Sequence, residues 1–95
     1  MVDERYRVTE AERAEIISKY FVDEKLREFP IKQKRKLVVL DRIAKAFEPG
    51  RRYTEKQVNE ALLEFYGDYA TIRRYLVEYG FMDRKPDGSA YWMKE

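Results

Sequence analysis

Cysteine and histidine are both absent from this chain, and serine occurs only twice. Without cysteine there is no disulfide framework and no thiol chemistry. Without histidine the chain lacks the commonest general base and the commonest transition-metal ligand. A catalytic site would have to use carboxylates, lysine or tyrosine alone, and no such constellation stands out. We therefore predict that the protein is not an enzyme and has no catalytic residues, no cofactor and no metal site.

Long apolar runs and a basic-then-apolar leader pattern are also missing, which predicts a cytoplasmic protein with no membrane partner. The chain has 95 residues, the size of one domain, and 44% of them are hydrophobic, enough for a modest core. Aromatic residues make up 15% and charged residues 40%.

The net charge is only +2, but the cations are concentrated in one block. Residues 31–52 contain eight bases and two acids, whereas the segments on either side are both slightly acidic. The bases of this block are Lys32, Lys34, Arg35, Lys36, Arg42, Lys45, Arg51 and Arg52. Such a block can bind phosphates, or it can be an ordinary solvated face.

The stretch 53–80 predicts two short helices joined by a tight turn. Thr54 with Gln57 three residues on forms a capping box for the first helix, and Asp68 can cap the second. Gly67 interrupts the apolar periodicity and Gly80 ends it. Two short capped helices in this arrangement are typical of a helix-turn-helix.

The flanking segments complete the predicted fold. We expect a helix from about residue 10 to 21 with a stripe of Ala14, Ile17 and Phe21 that Ile16 and Tyr20 widen. An extended linker that can contain a short strand follows over 22–30, and then a helix over 32–47. After Gly80 the turn Lys85-Pro86-Asp87-Gly88 predicts a β-hairpin that could pair with the segment at Tyr53.

The resulting fold class is α+β, mainly helical, and winged-helix-like: helix, short strand, helix, helix, β-hairpin, with an extra N-terminal helix. Residues 1–30 would form an N-terminal helix and linker packed on the core, and residues 31–95 the winged-helix-like domain. The centre of the core is predicted at Leu40, Phe47, Leu62, Ile72 and Leu76.

A set of ordered motifs carries a family resemblance. They are G-R-R-Y-T-E-K-Q-V-N at 50–59, D-x-x-T-I-R-R-Y-L-V at 68–77, F-P-x-K-x-K-R-K-L at 29–37, and the later Gly80, Arg84, Gly88 and Tyr91-Trp92. Over roughly residues 20–93 the chain resembles the prokaryotic domain-of-unknown-function family 2087. Members occur as small standalone proteins or behind an ArsR-type helix-turn-helix in transcriptional regulators. The resemblance implies this context but no mechanism.

Two functional hypotheses remain open. The first is a transcriptional regulator or regulatory module that binds DNA weakly, mainly through phosphates, with the second helix of the pair in the major groove. Its candidate nucleic-acid-binding residues are Lys32, Lys34, Arg35, Lys36, Arg52, Thr71, Arg74, Arg84 and Lys85. Arg73 is expected to be structural, and Asn59 to hydrogen-bond the neighbouring turn.

The second hypothesis is a protein-protein interaction or effector module that does not itself bind nucleic acid. Its partner would be another protein or a second copy of the chain. Near-neutral net charge and eight tyrosines favour it, since tyrosine is enriched at interface hot spots.

Overall fold

The computed structural model describes residues 7–94, which form a small α+β fold that is mainly helical, as the sequence predicts. The elements are α1 Glu10–Tyr20, β1 Phe21–Val22, β2 Lys25–Leu26, α2 Gln33–Ala44, α3 Glu55–Leu63, α4 Tyr69–Glu78, β3 Met82–Arg84 and β4 Tyr91–Met93. From residue 31 onward the predicted order of helix, short strand, helix, helix and hairpin is found, except that the short strand is a single bridge residue, Tyr53. Within the described residues, no helix is both long and apolar enough to cross a bilayer.

Side-chain caps fix where three of the helices begin. Thr54 Oγ1 accepts from Gln57 N at 3.1 Å and Gln57 Oε1 accepts from Thr54 N at 2.9 Å, so the predicted capping box is confirmed. Asp68 Oδ1 accepts from Thr71 N at 3.3 Å and caps α4 as predicted. Thr9 Oγ1 accepts from the backbone three residues on at 3.0 Å and caps α1.

The apolar stripe of α1 differs from the predicted one. Ala14 is exposed, whereas Ile16 and Tyr20 are buried and Ile17 and Phe21 are partly buried. The stripe is centred on Ile16 and Tyr20, which the sequence predicts only to widen it, because they offer far more apolar area than Ala14. Burial of the larger side chains contributes more to the free energy of folding.

A tight hairpin replaces most of the predicted extended linker. Strands β1 and β2 pair antiparallel, and the two residues between them, Asp23 and Glu24, have φ of 51° and 65°. Positive φ at both turn positions is the signature of a type I′ turn, which usually contains glycine or asparagine. Leu26 N donates to Phe65 O at 2.8 Å, so the hairpin is tied to the chain just after α3.

Helix α2 is shorter than predicted at its C-terminal end. The prediction extended it to Phe47, but regular helix ends at Ala44. Phe47 is still buried, because the turn that follows the helix folds back and places its ring edge-on to Tyr53, with centroids 5.2 Å apart. At the other end Lys32 is the N-cap and makes no side-chain capping bond.

The core lies where α2 meets the other helices and the C-terminal hairpin. All five residues predicted at its centre are buried, and α2 contributes the longest buried run. Within the described residues, the hydrophobic core cluster consists of Ile16, Tyr20, Leu26, Leu37, Val38, Val39, Leu40, Ile43, Ala44, Phe47, Val58, Leu62, Ile72, Leu76, Phe81, Met82 and Tyr91.

The C-terminal hairpin is joined to the rest of the domain at Tyr53. Its turn has the predicted bond, with Gly88 N donating to Lys85 O at 2.9 Å. Tyr53 and Tyr91 exchange both backbone hydrogen bonds at 2.8 Å in an antiparallel bridge. The predicted pairing with this segment is therefore confirmed, and it holds the hairpin beside α3 and α4.

Helix α4 ends in a Schellman motif centred on Gly80. Gly80 N donates to Val77 O at 3.1 Å and Phe81 N donates to Leu76 O at 2.8 Å. Gly80 has φ of 82°, the left-handed conformation that this motif requires. The motif turns the chain directly from α4 into the hairpin.

Replacing Gly80 by alanine should lower the free energy of unfolding by about 1–2 kcal/mol, because the left-handed conformation is strained for a residue with a Cβ. The new Cβ would meet nothing within 4 Å, so backbone strain is the only source of the loss. Gly67→Ala is the matched control, since it also has open space and no positive φ. Urea denaturation of both variants tests this, and equal stability of the two would contradict it.

Candidate nucleic-acid interface

Helix α4 presents one face to solvent and the opposite face to the core. Ile72 and Leu76 are buried, whereas Arg74 and Glu78 are exposed. We define the α4 outer face as Ala70, Thr71, Arg74, Val77 and Glu78. Its burial pattern agrees with the helix phase predicted from the sequence. The face carries one cation and one anion, so its own charge is balanced.

The N-terminal end of α2 lies along one side of α4. Lys36 Nζ is 5.2 Å from the centroid of the Tyr75 ring, and Tyr79 Oη donates to Gln33 Oε1 at 3.2 Å. Phe29 stacks on Tyr75 with centroids 5.0 Å apart. Lys36 is therefore held at the edge of the α4 outer face. Lys32 lies one helical turn before it and is exposed.

A groove lies on the other side of α4, between this helix, the start of α3 and the C-terminal hairpin. Its volume is about 320 Å³ and it is open to solvent. We call it the arginine groove, and it is lined by Arg73, Arg74, Arg84, Glu55, Glu78, Val77 and Tyr91. Two predicted site residues, Arg74 and Arg84, thus come together from elements that are separate in the chain.

A polar network fixes one wall of the arginine groove. Tyr91 Oη donates to Glu55 Oε1 at 2.9 Å, and Arg73 Nε lies 3.8 Å from the same oxygen. Arg73 Nη1 also donates to Asn59 Oδ1. Arg73 is thus engaged within the protein, as predicted. Asn59, however, bonds a side chain of the next helix instead of the neighbouring turn, because helix packing brings Arg73 over it.

The ionisation of Tyr91 reflects this network. Burial of the phenol, followed by its hydrogen bond to Glu55 and the negative charge of that carboxylate, raises the pKa of Tyr91. Tyr91 therefore stays neutral and continues to donate to Glu55 up to strongly alkaline pH. The carboxylate in turn remains beside Arg73, which fixes the geometry of the wall.

The hairpin contributes Arg84 and Lys85, which are both exposed. Arg84 Nη1 donates to Lys85 O and to Pro86 O, both at 3.4 Å. Asp83 Oδ1 accepts from Arg84 N at 2.8 Å, so this carboxylate is directed to the backbone. The guanidinium of Arg84 borders the arginine groove.

Other predicted site residues point to different parts of the molecule. Lys34 Nζ lies 2.6 Å from Glu12 Oε2, and Arg35 Nη1 donates to Tyr20 Oη at 3.2 Å, so both face α1. The contact with Lys34 lowers the pKa of Glu12. The basic block therefore divides: Lys36 lies beside α4, whereas Lys34 and Arg35 contact the N-terminal helix. Lys32 lines a surface depression together with Tyr20 and Arg35.

Arg52 and Thr71 also make contacts with other residues of the protein. The Arg52 guanidinium carbon lies 4.5 Å from the centroid of the Trp92 ring, on the C-terminal hairpin. Thr71 Oγ1 donates to Asp68 Oδ2 at 2.7 Å, so its proton serves the cap of α4. A phosphate contact by Thr71 would have to compete with that bond.

Sequence reasoning did not assign Glu55, Glu78 and Tyr91 to the candidate site. Glu55 and Tyr91 are far apart in the chain and meet only because the hairpin packs against α3. No local pattern signals that contact. The place of Glu78 among the arginines depends on the position of the hairpin.

Residues 25–93 match the family described as an uncharacterized protein conserved in bacteria, DUF2087. Since this match covers most of the chain, the protein belongs to that family, and the resemblance inferred from its motifs is confirmed. Comparison with curated proteins and with solved structures found no match to either.

Proposed function

We propose that the protein is a regulatory module that binds duplex DNA weakly, mainly through phosphates, with α4 as the helix that enters the major groove. The order of α2, α3, α4 and hairpin, with Tyr53 paired to Tyr91, resembles a winged helix in which the hairpin is the wing. In this proposal the protein acts in the bacterial cytoplasm as a transcriptional regulator.

The proposal is carried by the cations on both sides of the α4 outer face. Lys36 lies beside α4 on the α2 side, with the exposed Lys32 one helical turn before it, and Arg84 and Lys85 lie on the hairpin side, with Arg74 between them. A helix in the major groove has a phosphate backbone on each side of it. Cations on both flanks are thus suited to contact both backbones.

Weak sequence preference follows from the composition of the α4 outer face. Arg74 can bind guanine or phosphate, but Val77 is apolar and Glu78 repels phosphates.

If five cations each neutralise one phosphate, the slope of log affinity against log salt is about −4.5. Affinity should then fall about 500-fold between roughly 50 and 200 mM salt.

Fluorescence anisotropy with a labelled random-sequence duplex of about 20 base pairs tests this proposal. Wild type should bind at low salt with the steep slope given above. The double variant Lys32→Gln/Lys36→Gln should bind more weakly, with a slope flatter by about two. Both residues are at the surface, so the fold should tolerate the changes.

The matched control is Lys34→Gln/Lys45→Gln, which removes the same charge from the same region of the chain. Lys34 contacts Glu12 and Lys45 contacts Asp41, away from α4. We expect this control to retain the wild-type slope. Absence of binding even at low salt, or equal loss in both double variants, would contradict the proposal. Absence of binding would favour the protein-interaction hypothesis instead.

A further inference from the structure

Two guanidinium groups of the arginine groove have no carboxylate partner within residues 7–94. Arg73 is paired with Glu55, but neither Arg74 nor Arg84 has an ion pair with any carboxylate of the described residues. Arg74 comes from α4 and Arg84 from the hairpin. The lining of the groove contains three arginines and two glutamates, so its charge is net positive and favours an anion.

We propose that the arginine groove is a binding site for a single phosphate group, held between Arg74 and Arg84. The phosphate can be a backbone phosphate of DNA or a free phosphate group, since both offer the same anionic oxygens. As a DNA contact, the inference rests on the proposed function. As a site for free phosphate, it stands without that function.

Arginine is well suited to this ligand because its planar guanidinium donates two parallel hydrogen bonds to phosphate oxygens. The bonds from Arg84 Nη1 to two turn carbonyls hold that guanidinium at the rim of the groove. The wall behind it is fixed by the contacts of Glu55 with Tyr91 and Arg73. The Arg84 side of the site is therefore arranged before any ligand binds, which lowers the entropy cost of binding.

The negative charge of Glu78 affects how strongly the groove binds a phosphate. It lines the groove, is exposed, and has no ion pair with any cation among the described residues. Its negative charge opposes a bound phosphate, so Glu78→Gln should tighten binding, whereas Arg84→Gln should weaken it. A purely structural role for these residues would not produce opposite changes.

The first measurement is a titration with inorganic phosphate, monitored through the NMR signals of the arginine Nε–H groups. Chloride at equal ionic strength is the reference. We expect saturable shifts at Arg74 and Arg84, affinity reduced about tenfold in Arg84→Gln, and affinity raised roughly threefold in Glu78→Gln. Lys45→Gln should match wild type. The same variants are then compared in the DNA anisotropy assay.

The two assays separate the sources of the phosphate. Opposite changes in DNA affinity for Arg84→Gln and Glu78→Gln support a site for the DNA backbone. Saturable phosphate shifts with unaltered or absent DNA binding support a site for free phosphate, and absent DNA binding would reject the proposed function alone. If neither assay responds to these two variants, the phosphate site is rejected. DNA binding that still depends on Lys32 and Lys36 would then leave the proposed function intact.

Discussion

Replacing Leu76 by alanine is expected to lower the free energy of unfolding by about 2–5 kcal/mol. Leu76 has no exposed surface and lies on the core side of α4. The loss combines the transfer energy of the deleted carbons with the cavity left behind, because a packed core relaxes only in part. Urea denaturation measures this loss, which is a large share of the stability of about 5–15 kcal/mol that is usual for a domain.

Leu63→Ala is the matched control for this change. It makes the same substitution in a helix, but the Leu63 side chain is 55% exposed. We expect a loss of no more than about 0.5 kcal/mol, as for most surface substitutions. Similar losses at Leu63 and Leu76 would show that the assigned core face of α4 is wrong.

Phe81→Ala is expected to cost about 3–5 kcal/mol of unfolding free energy. Phe81 is 1% exposed and is among the largest fully buried side chains. It follows Gly80 in the Schellman motif, at the position whose side chain commonly packs against the last turn of the helix. Its ring thus belongs to the core at the point where α4 passes into the hairpin.

The conservative variant Phe81→Leu separates burial from backbone effects. It keeps most of the apolar volume and should cost only about 1–2 kcal/mol. The two variants are compared by thermal and urea denaturation, with the slope of the urea curve as a check on two-state behaviour. If Phe81→Ala were as stable as Phe81→Leu, the apolar volume at this position would contribute little to the core.

Local signals accounted for most of the helical structure. The capping residues Thr54 and Asp68 and the periodic apolar residues determine where α3 and α4 begin and which faces they bury. These signals act within a few residues of each other, so they can be recognised without knowing the tertiary structure. The core centre at Leu40, Ile72 and Leu76 followed from the same periodicity.

Features that depend on tertiary contacts were not predictable. The turn at Asp23 and Glu24 lacks the glycine or asparagine that usually marks a type I′ turn, so nothing in its sequence distinguished it from a linker. For the candidate site, the sequence supplied the residue types but not their grouping. Only the packing of α1 shows that Lys34 is turned away from α4 while Lys36 lies beside it.

The bridge between Tyr53 and Tyr91 closes a loop of chain that contains both α3 and α4. Contacts between these two helices are local in sequence and can form early in folding, whereas closing the loop carries a larger entropy cost. The arginine groove needs both α4 and the hairpin, so it exists only after this closure. An anion bound in the groove would therefore favour the closed loop and slow its local opening, which links ligand concentration to the stability of the whole C-terminal half.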